Sequence, residues 1–273
     1  MADVSVIIPT TRPHLLPSTL KSVDAQTDAP REVIVLEDRE REGPAIVRNR
    51  GAERAQGEFL AFLDDDDTWE PRFLERVTVP TGYVLAYAAL PHLVALDPRE
   101  GSPTVPSAAV IRADAFRAAG GFRPYPLAED YDLFLRLRRL GPFHRIEEPL
   151  CRYAVRVDAD RRLALRIHTI AVLEDYRARH PTEFGRLGRR NLGQEYRLLA
   201  EALRGRPGLT ADLRRAQRAA AATSLRLRPH IRGLRAWGAS FVSRGRNIVP
   251  LPPPPPTLRG RVLPRFYPVT SRP

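Results

Sequence analysis

Residues 58–67 read EFLAFLDDDD, an apolar run that ends in four consecutive aspartates. A short apolar run bounded by polar residues is typical of a buried strand. Four adjacent carboxylates at the end of such a strand repel one another unless a cation compensates their charge. A divalent metal ion is the natural compensator, so this stretch predicts a strand with a metal site at its carboxyl end.

The segments on the amino-terminal side of this strand alternate between strand and helix patterns. Continuous apolar runs at 4–8 and 32–36 predict two further buried strands, and the spacing of apolar residues at 13–26 and 43–56 predicts two helices. The order strand, helix, strand, helix, strand implies an α/β fold with a parallel sheet and right-handed crossovers. The strand ends then form one edge, where ligands bind in such sheets.

The four aspartates, Asp64–Asp67, cannot all reach one ion. In an extended chain Asp64 and Asp66 project to one face, and Asp65 and Asp67 project to the other. Mg²⁺ and Mn²⁺ need few protein carboxylates and complete their shells with water and phosphate oxygens. This chemistry suits a nucleoside diphosphate leaving group. We expect Asp67 to cap a helix that begins near residues 69–71.

Further strands and helices follow the acidic cluster. Strand patterns occur at 83–90 and 107–111, and helix patterns occur at 112–119 and 131–140. We expect a first domain over residues 1–157. A helical, arginine-rich extension over 158–246 should follow, with helices at 160–179, 192–204, 210–227 and 231–243. The tail, 247–273, contains five consecutive prolines and is expected to be polyproline-like or disordered.

The charge of the chain is divided between its halves. Residues 1–150 hold 18 Lys and Arg against 24 Asp and Glu, a net charge of −6, whereas residues 151–273 hold 26 against 8, a net charge of +18. A basic half suggests an anionic partner, such as a membrane surface or a lipid-linked phosphate. The alternative, that these arginines only form solvated helix faces, is equally open.

The cysteine content and the apolar segments bear on location. Cys151 is the only cysteine, which excludes an intramolecular disulfide and a multi-cysteine zinc site. The first apolar run is too short for a signal peptide, and no stretch approaches the length of a membrane span. We expect a cytoplasmic protein that contacts the inner membrane face, if at all, only peripherally.

Four segments, in this order, carry a family resemblance: VSVIIPT, EVIVLED, GPAIVRNRGAERAQGEFLAFLDDDDTWEP and AEDYDLFLRL. Over residues 3–150 the chain resembles the family 2 glycosyltransferases of the GT-A fold. The resemblance implies a Rossmann-like nucleotide-binding half with a mainly parallel sheet. It also implies inverting transfer of a sugar from a nucleoside-diphosphate sugar, and a DXD motif that holds Mn²⁺ or Mg²⁺.

The resemblance implies roles for residues at the strand ends. Asp64 and Asp66 match the metal-binding positions of the DXD motif, with Asp66 the strongest candidate ligand, and Asp65 lies between them on the nucleotide. The remaining nucleotide-binding positions match Pro9 and Thr10 after the first strand, Asp38 after the second, and Arg48 and Asn49 in the ARN segment. The chain departs from the family pattern at Thr11, Arg12 and Pro13.

The acidic pair Glu129-Asp130 precedes the last helix pattern of this half. From the residues alone, Asp130 is equally a helix cap and a general base. The resemblance favours the base, because the family has a catalytic acid pair here. Asp130, with Glu129 beside it, would take the proton from the acceptor hydroxyl.

Two other functions compete with glycosyl transfer. A nucleotidyltransferase-like enzyme would need a glycine-rich phosphate loop after the first strand, where the chain has residues 9–13, PTTRP. An arginine-rich nucleic-acid-binding protein would leave the four aspartates unexplained, so no nucleic acid is expected. The acceptor stays open between a glycan, a lipid-linked carrier and a small molecule.

Overall fold

The computed structural model describes residues 2–90, 105–154, 159–204, 210–224, 248–250 and 266–268. The chain forms two compact units. The first consists of Met1–Tyr125 and Glu129–Arg156, and the second consists of Pro126–Ala128 and Val157–Pro273.

The first unit is built on a six-stranded sheet with the strand order β2-β1-β3-β6-β5-β7. Strand β1 is parallel to both β2 and β3, and β5 is parallel to β7, whereas β6 runs antiparallel between β3 and β5. The sheet is therefore mainly parallel, as predicted. The strands of this unit are β1 (Ala2–Thr10), β2 (Pro30–Glu37), β3 (Phe59–Phe62), β4 (Thr68–Trp69), β5 (Leu85–Ala88), β6 (Ala109–Arg112), β7 (Phe143–Ile146) and β8 (Cys151–Arg152).

The helices of this unit follow the strands in the predicted order. The helix patterns at 13–26, 43–56 and 112–119 each contain a helix that is shorter than expected, and the helix at the 131–140 pattern begins two residues earlier, at Glu129. The helices are α1 (Leu16–Asp24), preceded by a 3₁₀ turn at Pro13–Leu15, α2 (Pro44–Arg54), α3 (Phe73–Arg76), α4 (Ala113–Ala118) and α5 (Glu129–Arg138), with a second 3₁₀ turn at Pro106–Ala108.

The hydrophobic core lies on both faces of the sheet. Along β1, Ile7 belongs to the apolar cluster on one face, which α2, α4 and α5 complete. Val6 and Ile8 belong to the cluster on the other face, with residues of α1 and α3. This alternation follows from the two-residue period of a strand. Helices covering both faces leave the carboxyl ends of the parallel strands as the accessible edge.

Strand β2 is an outer strand, so the prediction that it is buried on both faces was wrong. Its side chains alternate in exposure, with Val33 and Val35 exposed by 39% and 41%. Ile34 and Leu36, on the other face, pack in the core. An apolar run predicts a strand equally well at an edge and at the centre of a sheet, because the run does not specify the neighbours.

Asp67 does not cap a helix, contrary to the prediction. The chain after it forms β4, which pairs antiparallel with β8 through Thr68 and Trp69. The next helix, α3, begins only at Phe73. Trp69 stacks on Phe73 with ring centroids 4.2 Å apart, so the residue expected near the start of a helix lies in β4 and packs against α3.

The second unit is helical over most of its described residues. It contains α6 (Ala159–Arg179), α7 (Pro181–Leu203) and α8 (Thr210–Ser224), and α7 is kinked at Gly185. Two short strands, β9 (Ile248–Pro250) and β10 (Phe266–Pro268), pair antiparallel within the segment expected to be disordered. The predicted helix at 231–243 and the five prolines lie outside the described residues.

Within the described ranges, no helix is both long and apolar enough to span a membrane.

The close packing of α2 against β1 can be tested at Gly51. A Cβ atom at Gly51 would overlap Cγ2 of Ile7 and lie 2.9 Å from Cδ1 of Leu36. Gly51→Ala should therefore lower the free energy of unfolding by about 1–2 kcal/mol, because overpacking outweighs the gain in helix propensity. Urea unfolding measures the change, with Glu53→Ala on the exposed side of α2 as the control. Equal or greater stability of Gly51→Ala would show that this contact is looser than described.

Candidate active site

The acidic cluster forms a turn directly after β3. The amide of Asp67 donates to the carbonyl oxygen of Asp64 at 3.1 Å, which closes the turn. The side chains of Asp64 and Asp66 are 30% and 16% exposed, whereas those of Asp65 and Asp67 are buried. The split between the two pairs is as predicted, but its cause is different, because the chain turns here instead of remaining extended.

Arg48 of α2 connects the acidic turn with α5. Its Nη2 donates to Oδ1 of Asp64 at 2.5 Å, and its Nη1 donates to Oε1 of Glu129 at 2.7 Å. The guanidinium is 4% exposed, and its Cζ lies 5.3 Å from the centroid of the Phe122 ring. Burial by itself would lower the pKa of Arg48, but the charges of Asp64 and Glu129 raise it overall. Arg48 is therefore a permanently charged bridge between the two predicted halves of the site.

Thr10 and Arg12, after β1, hold Asp65. The hydroxyl of Thr10 donates to Oδ2 of Asp65 at 2.6 Å, and Nη2 of Arg12 forms an ion pair with Oδ1 of the same residue. The same Nη2 lies 3.1 Å from Oδ2 of Asp66. Burial acts to lower the pKa of Arg12, but hydrogen bonds and charge attraction from the two aspartates raise it overall. Arg12 thus neutralises part of the acidic turn from its solvent side.

Asp67 points into the protein. Its Oδ1 accepts a hydrogen bond from the amide of Ala154 at 2.8 Å. Burial raises the pKa of Asp67 to about 7, although hydrogen bonds from Ser107 and Ala154 act in the opposite direction. Thr19 also holds this turn, because its hydroxyl lies 2.9 Å from the carbonyl oxygen of Asp65. Asp67 therefore fixes the turn and is not placed to reach a ligand.

Glu129 and Asp130 lie in the first turn of α5. The helix begins at Glu129, so Asp130 is inside it and is not its cap. Oδ1 of Asp130 accepts a hydrogen bond from the amide of Tyr131 at 2.7 Å. Burial and the charge of Asp130 raise the pKa of Glu129 to about 7, against the opposing effect of Arg48. Burial also raises the pKa of Asp130.

Asp38 and Asn49 make structural contacts. The two carboxylate oxygens of Asp38 accept from the amides of Glu42 and Gly43 at 2.8 and 2.9 Å, which orders the loop before α2. The side chain of Asn49 pairs with the backbone of Phe122, donating to its carbonyl oxygen and accepting from its amide, both at 2.8 Å. These positions were predicted to bind nucleotide, and their observed partners are within the protein.

The network brings together most of the predicted site residues. Direct hydrogen bonds or ion pairs join Arg48 to Asp64 and Glu129, and Thr10 to Asp65. Asp38 joins them through its amide, which donates to the carbonyl oxygen of Thr10 at 2.7 Å. Pro9 is buried in β1. Asp130 adjoins this network through Glu129.

Sequence analysis missed Arg12, Thr19 and Ser107. The hydroxyl of Ser107 accepts from the amide of Asp64 at 3.1 Å, and its carbonyl oxygen accepts from Nε1 of Trp69 at 2.6 Å. The departure from the family pattern at Arg12 was the only signal for that residue. A small polar residue at the start of an apolar strand, as at Ser107, was a weaker signal.

The residues of the acidic turn fit a metal that is shared with a substrate. Within the described ranges, no group of three or more His, Cys, Asp and Glu side chains is arranged to hold a metal ion. Mg²⁺ and Mn²⁺ do not require such a group, since one or two carboxylates and phosphate oxygens suffice. Asp64 and Asp66 are the two carboxylates of the turn that reach solvent. Their chemistry fits an ion bound together with a diphosphate.

Comparison with known proteins finds a local match around the acidic turn. Residues 37–78, which carry Asp38, Arg48 and the acidic turn, match the family described as Glycosyl transferase family 2. Over this stretch the chain is similar to the family 2 glycosyltransferases. It is 39% identical over 67 residues to the putative glycosyltransferase EpsH of Bacillus subtilis (strain 168), a match that covers 22% of this chain and 20% of that protein.

A second relative supports the same family. The putative teichuronic acid biosynthesis glycosyltransferase TuaG of Bacillus subtilis (strain 168) is 50% identical over 44 residues, which cover 16% of this chain and 17% of that protein. The matches thus span about a fifth of the length of these two curated relatives.

A solved structure shows the fold over a longer range. The mannosyltransferase PcManGT from Pyrobaculum calidifontis, in complex with GDP-Man and Mn²⁺, has a TM-score of 0.59 and 17% sequence identity, and the likeness covers 88% of this chain and 80% of that one. The chain therefore has the GT-A fold expected from the sequence.

The bridge made by Arg48 can be tested through stability. Arg48→Met leaves the carboxylates of Asp64 and Glu129 without their buried partner, so the free energy of unfolding should fall by about 3–5 kcal/mol. Adding Glu129→Gln to this variant should recover part of the loss, because one uncompensated charge is removed. Arg50→Met is the control, since Arg50 pairs with Glu42 in an exposed position worth less than about 1 kcal/mol. Equal losses in Arg48→Met and Arg50→Met would contradict the bridge.

The raised pKa of Glu129 predicts a pH dependence. The folded protein holds a proton on Glu129 more tightly than the unfolded chain does, because the pKa of Glu129 is raised above its ordinary value of 4.5. This group therefore makes the free energy of unfolding fall as pH rises from about 4.5 to about 7. Glu129→Gln should make the slope over this range less negative, while the exposed Glu53→Gln leaves it unchanged. Chemical unfolding at several pH values measures the slopes, and identical slopes in wild type and Glu129→Gln would refute the assignment.

Proposed function

We propose that this protein is a metal-dependent inverting glycosyltransferase that moves a sugar from a nucleoside-diphosphate sugar to an acceptor hydroxyl. The observation that carries the proposal is the ionic chain Asp64–Arg48–Glu129. It links a solvent-facing acidic turn with a buried acid pair on α5, inside a GT-A fold. An enzyme that binds a diphosphate at one position and removes a proton at another needs both groups in fixed relation.

The acidic turn is the donor side of the proposed site. Asp64 and Asp66 would hold Mn²⁺ or Mg²⁺, which when bound neutralises charge that develops on the diphosphate leaving group. The solved mannosyltransferase, a complex with GDP-Man and Mn²⁺, supports Mn²⁺ as the first ion to test. Asp65, fixed by Thr10 and Arg12, would orient the nucleotide beside them.

The nucleotide would lie along the edge formed by the ends of β1, β2 and β3. Pro9 and Thr10 end β1, and Asp38 follows β2, so these residues flank the acidic turn. Arg48 and Asn49 act differently from the family-based expectation in this proposal. Their contacts with Glu129 and Phe122 support a positioning role, in which α2 holds the two sides of the site together.

Asp130 is the proposed general base on the acceptor side. The acceptor oxygen attacks the anomeric carbon, the bond from that carbon to the diphosphate breaks, and the hydroxyl proton passes to a carboxylate oxygen of Asp130. A raised pKa favours this role, because a base is most effective when its pKa approaches the working pH. Glu129 adjoins Asp130 and keeps α5 tied to Arg48. One displacement of this kind inverts the anomeric configuration.

The acceptor and the location follow from charge and cysteine content. The net charge of +18 over residues 151–273 supports an anionic or lipid-linked acceptor and a peripheral contact with the inner membrane face. We propose a cytoplasmic enzyme because the single cysteine, Cys151, gives no disulfide framework that would point to an oxidising compartment.

The proposal predicts separable losses in two variants. Asp66→Ala should lose Mn²⁺-dependent binding of the donor, whereas Asp130→Ala should bind the donor and lose transfer. UDP, GDP and dTDP sugars are screened for Mn²⁺-dependent hydrolysis, and binding is measured by calorimetry. Asp114→Ala is the control, because this aspartate is 61% exposed and pairs with Arg112 outside the site.

Two results would contradict this mechanism. Absence of binding and hydrolysis with every donor, with and without metal, would reject the proposed function. Full hydrolysis by Asp130→Ala together with full transfer to an acceptor would reject Asp130 as the base while leaving the donor site intact.

A further inference from the structure

Two arginines neutralise the acidic turn, and they are held in different ways. Arg48 is 4% exposed and is fixed between Asp64 and a second buried carboxylate, that of Glu129. The side chain of Arg12 is 36% exposed, and among the residues that the structure describes its guanidinium pairs with the turn, at Asp65 and Asp66. Removing Arg48 from its position would break a buried bridge, whereas Arg12 can exchange its partners with solvent or with an incoming ion.

The backbone around Arg12 is fixed, so only its side chain can move. The amide of Arg12 donates to the hydroxyl of Thr10 at 2.9 Å, and its carbonyl oxygen accepts from the amide of Leu15 at 2.9 Å. Pro13 follows it at the start of a 3₁₀ turn and restricts the chain further. The guanidinium is therefore tethered beside the acidic turn, whichever contacts it makes.

Arg12 lies against Asp66, one of the two carboxylates proposed to hold the metal ion. Its Nη2 contacts Oδ1 of Asp65 and lies 3.1 Å from Oδ2 of Asp66. A guanidinium and a divalent cation bound to the same carboxylate repel each other, so each lowers the affinity of that carboxylate for the other. The metal must therefore displace Arg12 or bind weakly.

We propose that Arg12 is a built-in counter-ion that competes with the divalent metal for Asp66 until a donor diphosphate is present. This inference rests on the proposed function. The diphosphate brings negative charge to the same edge and offers the tethered guanidinium a new bidentate partner. When Arg12 pairs with the diphosphate, the carboxylate of Asp66 becomes available to the metal.

The expected consequence is a coupling between metal and nucleotide. Without nucleotide, Arg12 weakens metal binding; with nucleotide, the same side chain no longer competes and instead stabilises the bound diphosphate. Each ligand then strengthens the binding of the other by the same factor, as linkage requires. A fixed counter-ion would add nothing to the coupling that an ion shared by the carboxylates and the diphosphate already gives.

The test measures Mn²⁺ affinity directly, by the electron paramagnetic resonance signal of free Mn²⁺ titrated into the full chain. Each titration is made without nucleotide and with saturating UDP or GDP, and the Mn²⁺–nucleotide complex formed without protein is measured separately. The variants are Arg12→Gln, Arg12→Lys and the control Arg31→Gln, whose arginine pairs with Asp3 on the exposed surface. Circular dichroism confirms that each variant is folded.

We expect Arg12→Gln to bind Mn²⁺ about tenfold more tightly than wild type without nucleotide. The strengthening of Mn²⁺ binding by UDP or GDP should shrink by a similar factor, because the competitor is already gone. Arg12→Lys should lie between the two, since an ammonium keeps the positive charge but is more strongly hydrated than a guanidinium. Arg31→Gln should match wild type, and Asp66→Ala should lose Mn²⁺ binding in either background.

The outcomes separate this inference from the proposed function. If Arg12→Gln and wild type bind Mn²⁺ equally and show equal strengthening by nucleotide, Arg12 is not the competitor and the metal-dependent function stands. Weaker Mn²⁺ binding by Arg12→Gln without nucleotide would also overturn the inference. If no protein binds Mn²⁺ under any condition, the metal dependence and the competition both fail.

Discussion

The buried guanidinium of Arg48 is the constraint on which the rest of the site depends. A charge that is 4% exposed must be compensated, and here Asp64 and Glu129 compensate it from two elements that lie 65 residues apart in the chain. Neither carboxylate can move without leaving Arg48 partly unpaired, which is costly in a buried position. The end of β3 and the start of α5 are therefore held at a fixed separation by α2.

Asn49, the residue after Arg48, also holds two parts of the site together, in this case through the backbone of Phe122. Asn49 pairs with both polar groups of Phe122, and the Phe122 ring lies against the Arg48 guanidinium. One turn of α2 thus fixes the acidic turn, the first turn of α5 and the segment that precedes it. On the solvent side, Arg12 is tethered but not enclosed. The site therefore combines a rigid framework, built by buried charges, with one exchangeable cation at its surface.

The sequence predicted what depends on local periodicity. The alternation of strands and helices up to β3 and the position of the acidic cluster were correct, because two-residue and 3.6-residue periods are local properties. It did not predict that β2 lies at an edge or that Asp67 turns inward. These features depend on which strand lies beside β2 and on the amide of Ala154, which no pattern near Asp67 encodes.

The same limit applies to the site residues. Residue types and family resemblance identified Asp64, Glu129 and Arg48, but not their ionic chain, because its members are distant in sequence. The resemblance suggested nucleotide contacts for Asn49, where the structure has a pairing across 73 residues. Arg12 could be noticed only as a departure from the pattern. Local sequence thus indicates which groups are present, and tertiary contacts decide which of them face a ligand.

The position of β2 has a consequence for self-association. An outer strand has unpaired backbone N–H and C=O groups that can pair with a strand of another molecule. Burial of Val33 and Val35, which lie on its exposed face, would stabilise such pairing. Pro30 begins the strand and lacks an amide hydrogen, while Arg31 and Glu37 flank the two valines on the same exposed face. Extending the sheet would require these charges to be desolvated, which opposes edge-to-edge aggregation. The outer strand thus carries its own protection against joining a second sheet.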